Sequence, residues 1–343
     1  DVPFVHSTFE NMTGATVGLA MRTDVVPQED LMYLAALPVL MNEVGVIADG
    51  EPLPFDKMKQ RLRREIRGLS VYYDINWPTE RSELVVRGIG TNLDEARRSV
   101  QWMQYVLFNP DLRLENLPRI RDAIDQQLSS VRNRMRGSEE SWVEIPADAF
   151  WKQSNPLMLV TGCFLTQAHA LHRMRWQLMV AESEAVQQEF VRFMADMGNA
   201  GKVSSYETQV AVLEVLGGGE YNPDTLSEGM QSQLEDYRAL SEPVRKLVDE
   251  AVKDMRQILA GDVSTDSPVS DWRYLCLQIG QDLAVSPAEA MGKMEQVLSA
   301  LRHQDNVRGF TISSSVGRAD VMPQVNELLS MFDSEPATRY GYN

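Results

Sequence analysis

The chain has 343 residues, with 49 acidic and 33 basic side chains and a formal net charge of −16. A hydrophobic content of 43% suits a water-soluble protein able to bury a sizeable core. The acidic balance argues against nucleic acid or an anionic membrane as partner, since both are met by clustered Lys and Arg, and no apolar run reaches the roughly 18 residues of a membrane helix.

In chain order, Val2–Phe9 alternates apolar and polar residues and predicts a strand. Gly14–Thr23 is apolar and β-branched and predicts a second strand, paired with the first through a hairpin near Asn11–Gly14. Pro27 opens a helix that stops at Gly45 and is kinked by Pro38. A helix over Pro54–Arg67 places Phe55, Met58, Leu62 and Ile66 on one face and Lys/Arg on the other. Gly68–Trp77 and Ser82–Gly90 predict a β-hairpin. Asn92 caps a helix to about Phe108, and Leu117, Ile120, Ile124, Leu128, Val131 and Met135 stripe another over Leu114–Arg136.

Further helices are expected at 139–153, 156–179 and 183–197. The stretch 199–284 differs: its 15 acidic and 7 basic side chains give −8, half of the chain's net charge. It predicts a helical insertion with a solvated face, with helices near 204–215, 224–240 and 243–260; an acidic docking surface is the alternative. After it come a helix from Pro287 to about His303, a strand over Val307–Ser314 and a last helix at 318–332. The fold class is therefore α+β: a mixed, mostly antiparallel sheet with helices layered on it, plus a helical insertion. The expected division is 1–198 with 285–343 as the α+β domain and 199–284 as the insertion.

Candidate chemistry is sparse. His169 and His172 share a helix face, with Cys163 nearby, but a zinc site needs a third ligand at close spacing, and none lies there before Glu182. A polar helix face with one part-buried ring is the plainer reading. Gly88-Ile89-Gly90 lies between a strand and a helix, yet Leu93 replaces the third glycine of a phosphate loop. Gly217–Gly219 lacks the Lys-Ser/Thr of a P-loop and is read as a flexible linker. Asn11-Met12-Thr13 matches a glycosylation acceptor, a pattern common by chance. Met158, Met174, Met179, Met194 and Met197 are expected to fill core, with a Met-lined peptide surface as the alternative. Cys163 and Cys276 are too far apart in sequence for a disulfide scaffold and are expected to be small buried residues, compatible with a reducing interior. Catalytic, cofactor-binding and metal residues are all predicted as none. Both chain ends have the character of cuts from a longer polypeptide.

The order of elements resembles the pitrilysin/insulinase (M16) zinc metallopeptidases over 1–197 and 285–333, most closely the non-catalytic third domain of the presequence-protease branch. The segments that carry the likeness are Leu37-Pro38-Val39-Leu40 running to Glu43-Val44-Gly45, Arg67-Gly68-Leu69-Ser70, Phe108–Asp111, and the closing step from Leu298 to Ile312. In the family's first domain, the helix matching 28–45 bears an inverted zinc motif, His-x-x-Glu-His. Here that helix holds no His, so no catalytic residue carries over. The resemblance implies a chamber-wall domain of a peptide-degrading parent enzyme, with zinc in the parent's catalytic domain. It implies as partners the catalytic half of the same polypeptide and unfolded peptides, with a cytoplasmic or organelle-matrix setting favoured. The isolated chain is then expected to bind no stoichiometric zinc and to cut no peptide. An inactive partner-binding subunit of the same fold and an acidic helical adaptor are the alternatives.

Overall fold

The computed structural model describes residues 2–135, 154–200, 205–218, 228–261 and 266–342. The fold class is α+β, as expected. The helix expected at 139–153 lies outside the described residues. By contact, the chain divides into two compact units. Unit 1 takes the described residues of 2–131, 154–171 and 291–342, and unit 2 those of 132–135 and 172–290. Unit 2 thus holds more of the chain than the 199–284 segment picked out by charge.

Unit 1 is built on five strands: β1 Phe4–Thr8, β2 Ala15–Arg22, β5 Gly68–Asn76, β6 Arg81–Gly90 and β7 Val307–Ser313, in the order β1-β7-β2-β6-β5. Two short strands, β3 Val46–Ala48 and β4 Glu51–Leu53, pair separately. The predicted β5–β6 hairpin forms, with Val71 opposite Val86 and Tyr73 opposite Leu84. The predicted β1–β2 hairpin does not. Strand β7 enters between them, parallel to β1 and antiparallel to β2. The reason is local packing. Phe4 lies opposite Gly309 and Phe310 opposite Gly18, and a Cβ added at either glycine would sit about 2 Å from the facing ring. Each aromatic covers a glycine on the neighbouring strand, so the two strands accept β7 as a close-fitting partner.

The Pro27–Gly45 helix is also divided. Gln28–Ala36 winds as a 3-10 helix, and α1, Leu37–Glu43, begins with Pro38 in its first turn. Proline has no N–H to donate and its ring would crowd a preceding turn, so a new helix starts there instead of an old one continuing. Gly45 then takes φ +90°, a backbone state that favours glycine, and turns the chain into β3.

Helix α2, Phe55–Glu65, buries Met58 and leaves its Lys/Arg face outward. Asn92 caps α3, Leu93–Phe108, by accepting from the Glu95 N–H at 2.9 Å, while Glu95 accepts from the Thr91 N–H at 2.8 Å. The Glu95 side chain thus reaches back to the residue before the cap, and together the two bonds hold the helix start. Gly88 and Gly90 belong to β6, where they meet α3: a Cβ on Gly90 would fall 2.1 Å from the Ala96 nitrogen, and one on Gly88 2.8 Å from Ser99 Oγ. They allow close helix–sheet packing. Helix α4, Leu117–Met135, buries Ile120, Ile124, Leu128 and Val131, as its stripe predicted.

The single helix expected at 156–179 is two: α5, Pro156–Gly162, and α6, Phe164–Gln177. Cys163 is extended between them and half-buried rather than buried. Later in the chain, α12, Pro287–Leu301, leads into β7, and α13, Ser315–Ser330, packs with α3 over the sheet.

Unit 2 is helical. It contains α7 Glu184–Ala200, α8 Tyr206–Leu216, α9 Glu228–Ala239, α10 Glu242–Gly261 and α11 Asp266–Ala284. The last was not foreseen. Its core includes Trp176 stacked on Phe190 at 5.8 Å, together with Met194, Met197, Val248, Met255 and a fully buried Cys276. The indole N–H of Trp272 donates to the Met197 carbonyl at 3.0 Å. Met158, Met174, Met194 and Met197 are buried, which is the core-filling role expected of them. Gly217 ends α8 and Gly218 takes φ +86°, so this part of the glycine run is a helix terminus rather than a linker.

Candidate functional site

A cleft of about 430 Å³ opens in unit 1 between α1, α4, α6 and β5. Pro38, Val39, Asn42 and Glu43 of α1 form one wall, and Ala123, Gln126 and Gln127 of α4 face it. Gln167 and Tyr73 complete the lining. Helical spacing explains the presentation: residues 38, 39 and 42 share a face of α1, as 123, 126 and 127 do of α4.

The lining is rich in amides. Asn42 donates one N–H to the Pro38 carbonyl at 2.7 Å, Gln126 to Asp122 at 3.0 Å and Gln167 to the Thr161 carbonyl at 2.9 Å. Their amide oxygens accept no hydrogen bond among the described residues, and Gln127 makes none there. The cleft therefore offers both acceptors and donors of the kind a peptide main chain satisfies.

Its charged and phenolic groups are committed. Glu43 lies 3.2 Å from Lys59 Nζ and 3.4 Å from Arg119, whose Nε also donates to the Glu43 carbonyl at 2.7 Å. Tyr73 donates to the Leu34 carbonyl at 2.6 Å, and burial pushes its hydroxyl well above the ordinary tyrosine pKa, so it stays a neutral donor. With one ion-paired carboxylate and no imidazole, this lining lacks the acid–base pair that proton-transfer catalysis needs. Nor does it suit zinc, which takes His nitrogen, Cys sulfur or free carboxylate oxygen from three protein ligands.

Beside the cleft runs β5, an edge strand that among the described residues pairs with β6 alone. Alternate backbone groups of such a strand point away from its partner and can template another strand. The opposite edge, β1, has five residues against the nine of β5, and so offers a shorter ladder.

The two histidines singled out by spacing do not form a site. His172 is buried in unit 2, with Nε2 2.5 Å from Oδ2 of Asp254, while His169 is exposed. Asp254 is the centre of a network that sequence reasoning missed. It receives Arg132 at 2.8 Å and the Trp176 indole at 3.0 Å, and Arg175 lies 3.6 Å away. Desolvation works to raise its pKa, but the His172 contact and the charges of Arg132 and Arg175 outweigh it, leaving the carboxyl well below the usual range. Its buried setting and full complement of partners make it an organising centre of the unit's core. The signal available in the sequence was an aspartate set beside the apolar stripe Val244, Val248, Ala251 and Met255.

Among the described residues, no group of three or more His, Cys, Asp or Glu is placed to hold a metal ion, and no helix is long and apolar enough to cross a membrane. No family model matches the chain, and no curated protein matches it. Among solved structures, the chain is similar to a conserved protein from Enterococcus faecalis V583, at 12% identity and TM-score 0.32, covering 92% of this chain and 97% of that one. A peptidase M16 inactive domain from Pseudomonas fluorescens matches at 10% identity and TM-score 0.30, covering 91% and 95%. A protease from Helicobacter pylori matches at 9% identity and TM-score 0.27, covering 90% and 96%. At these scores none of the three establishes a shared family.

Proposed function

We propose that the chain is a non-catalytic, M16-type domain that forms part of the wall of a peptide-binding chamber. The observation that carries this reading is the nine-residue β5 edge, unpaired on its outer side among the described residues, running beside an amide-lined cleft with no free acid–base pair. An extended peptide would add to β5 by main-chain pairing, and the cleft amides would meet its backbone or a neutral polar side chain. Cleavage would belong to a zinc-bearing catalytic half of the parent protein. The absence of His from α1 equally suits an inactive subunit that pairs with a separate catalytic one. A His-x-x-Glu-His motif encoded upstream in the same gene would select the first of these two arrangements.

Main-chain pairing makes a specific prediction. An unstructured peptide should bind the purified chain, and the same peptide N-methylated at every residue should bind at least about tenfold more weakly, because neither of its edges keeps an N–H to pair with β5. Fluorescence anisotropy reads the affinities, and mass spectrometry should recover the peptide intact. Equal binding of the two peptides would refute strand addition. Cleavage abolished by a chelator would refute the non-catalytic assignment.

A further inference from the structure

We propose that the outward face of α2 is a docking surface for an acidic polypeptide segment. Residues 55–67 carry six cations and two carboxylates, a net of +4 within a chain of net −16. Two of the cations are used locally: Lys59 pairs with Glu43 at 3.2 Å, and Arg61 pairs with Glu65 at 2.9 Å. The other four, Lys57, Arg63, Arg64 and Arg67, are exposed and have no ion pair among the described residues.

The nearby carboxylates are occupied. Glu65 accepts from Arg61 and from the Trp102 indole, Glu95 accepts from the Thr91 N–H and hydroxyl and feels the Arg67 charge, and Asp94 accepts from Arg97. Asp56 stands in the first turn of α2, where it favours the helix terminus. Arg98 of α3 is exposed and acts electrostatically on Glu65, so the positive field extends onto the neighbouring helix. Lys57 and Arg64 stand two turns apart on one face of α2, with Arg63 next to Arg64 and Arg67 just past the helix end, and none of the four has a counter-charge of its own among the described residues. A partner that neutralises them therefore gains affinity that an isolated cation would not supply.

The chemistry selects the partner. Guanidinium groups match carboxylates through paired N–H donors. Lys57 and Arg64 lie about 10 Å apart along the axis at 1.5 Å per residue, a span that a few consecutive acidic side chains can follow. The exposed face, which also includes Gln60, presents no aromatic ring on which a nucleic-acid base would stack. The net charge of −16 opposes a long polyanion or an anionic bilayer, whereas a short acidic segment meets the patch within a screening length of about 8 Å at physiological salt. This surface adjoins the β5 cleft, since Arg67 precedes β5 and Lys59 pairs with Glu43 of the cleft wall, but its assignment is carried by charge and does not rest on the peptide-chamber reading.

The test uses the full chain and a labelled polyglutamate peptide, read by anisotropy at about 50 mM and about 500 mM salt. Binding is expected at the lower salt, falling at the higher. K57Q/R63Q/R64Q/R67Q should weaken it at least about tenfold, while R238Q/R245Q/K253Q/R256Q, the same charge change on exposed positions of unit 2, should leave it within about twofold. Circular dichroism checks that both variants fold, and R63Q/R64Q serves if the quadruple variant does not. No binding by the wild-type chain would overturn the proposal. So would equal weakening by both variant sets, or tighter binding of a single-stranded oligonucleotide of matched charge that the α2 variant abolishes.

Discussion

Replacing Asp254 with alanine is expected to destabilise unit 2 by about 3–5 kcal/mol, because it strips one partner from a buried charge network. Arg132, His172, Arg175 and the Trp176 indole all converge on this carboxylate, which is 3% exposed. Without it, the part-buried guanidinium groups of Arg132 and Arg175 lose their counter-charge, and an indole N–H loses its acceptor. Asp254→Asn keeps the volume and an acceptor but removes the charge, and should fall between wild type and alanine. The same network fixes a pH dependence. A carboxyl held below its ordinary value in the folded state contributes stability that is fully present above the unfolded pKa of about 4 and is lost as pH falls below it. Thermal melts followed by Trp fluorescence should therefore show wild type weakening below about pH 4 and the alanine variant changing less over that interval. An alanine variant as stable as wild type, with an unchanged acid limb, would show that the network holds little of the unit together.

In unit 1 the largest effect is expected at Trp102, where alanine should cost about 3–5 kcal/mol. The side chain is 1% exposed. Its indole N–H donates to Glu65 at 3.0 Å, its ring meets Tyr105 edge-on at 5.5 Å, and the Arg61 guanidinium lies 5.3 Å from its centre. Truncation would leave a large void under α3 and release Glu65, loosening α2 from its support. Val316→Ala, at a position 68% exposed, should stay within about 0.5 kcal/mol and serves as the comparison. Chemical denaturation of both variants reads the difference, and equal midpoints would contradict the packing account.

Much of unit 1 was legible because its signals are local. The β5–β6 hairpin, the Asn92 cap and the stripe of α4 each lie within a short window of sequence. The β1 pairing was not, because the complementarity of Phe4 with Gly309 spans the whole chain. Adjacent strands in sequence suggested a hairpin, and a glycine–aromatic fit with a distant strand prevailed. The break at Cys163 had a local signal in Val160-Thr161-Gly162-Cys163, all poor helix formers, but the longer helical stretches on either side outweighed it. It becomes intelligible only with Gly162 in place, since a Cβ there would sit 2.4 Å from the Trp77 ring. The cleft gave no motif at all. Gln126, Gln127 and Gln167 are ordinary polar residues until the fold brings them to face α1. Conversely, the histidine pair had motif-like spacing, yet one ring is buried against Asp254 and the other is exposed. Spacing places residues on a helix face, and what that face meets is decided elsewhere in the chain.

Hydrogen–deuterium exchange of the chain with and without a saturating unstructured peptide tests the proposed function most directly. Protection is expected along β5, residues 68–76, and in the cleft wall at 37–43, with the peptide recovered whole. Exchange that is unchanged along β5 while protection appears only elsewhere would contradict the account.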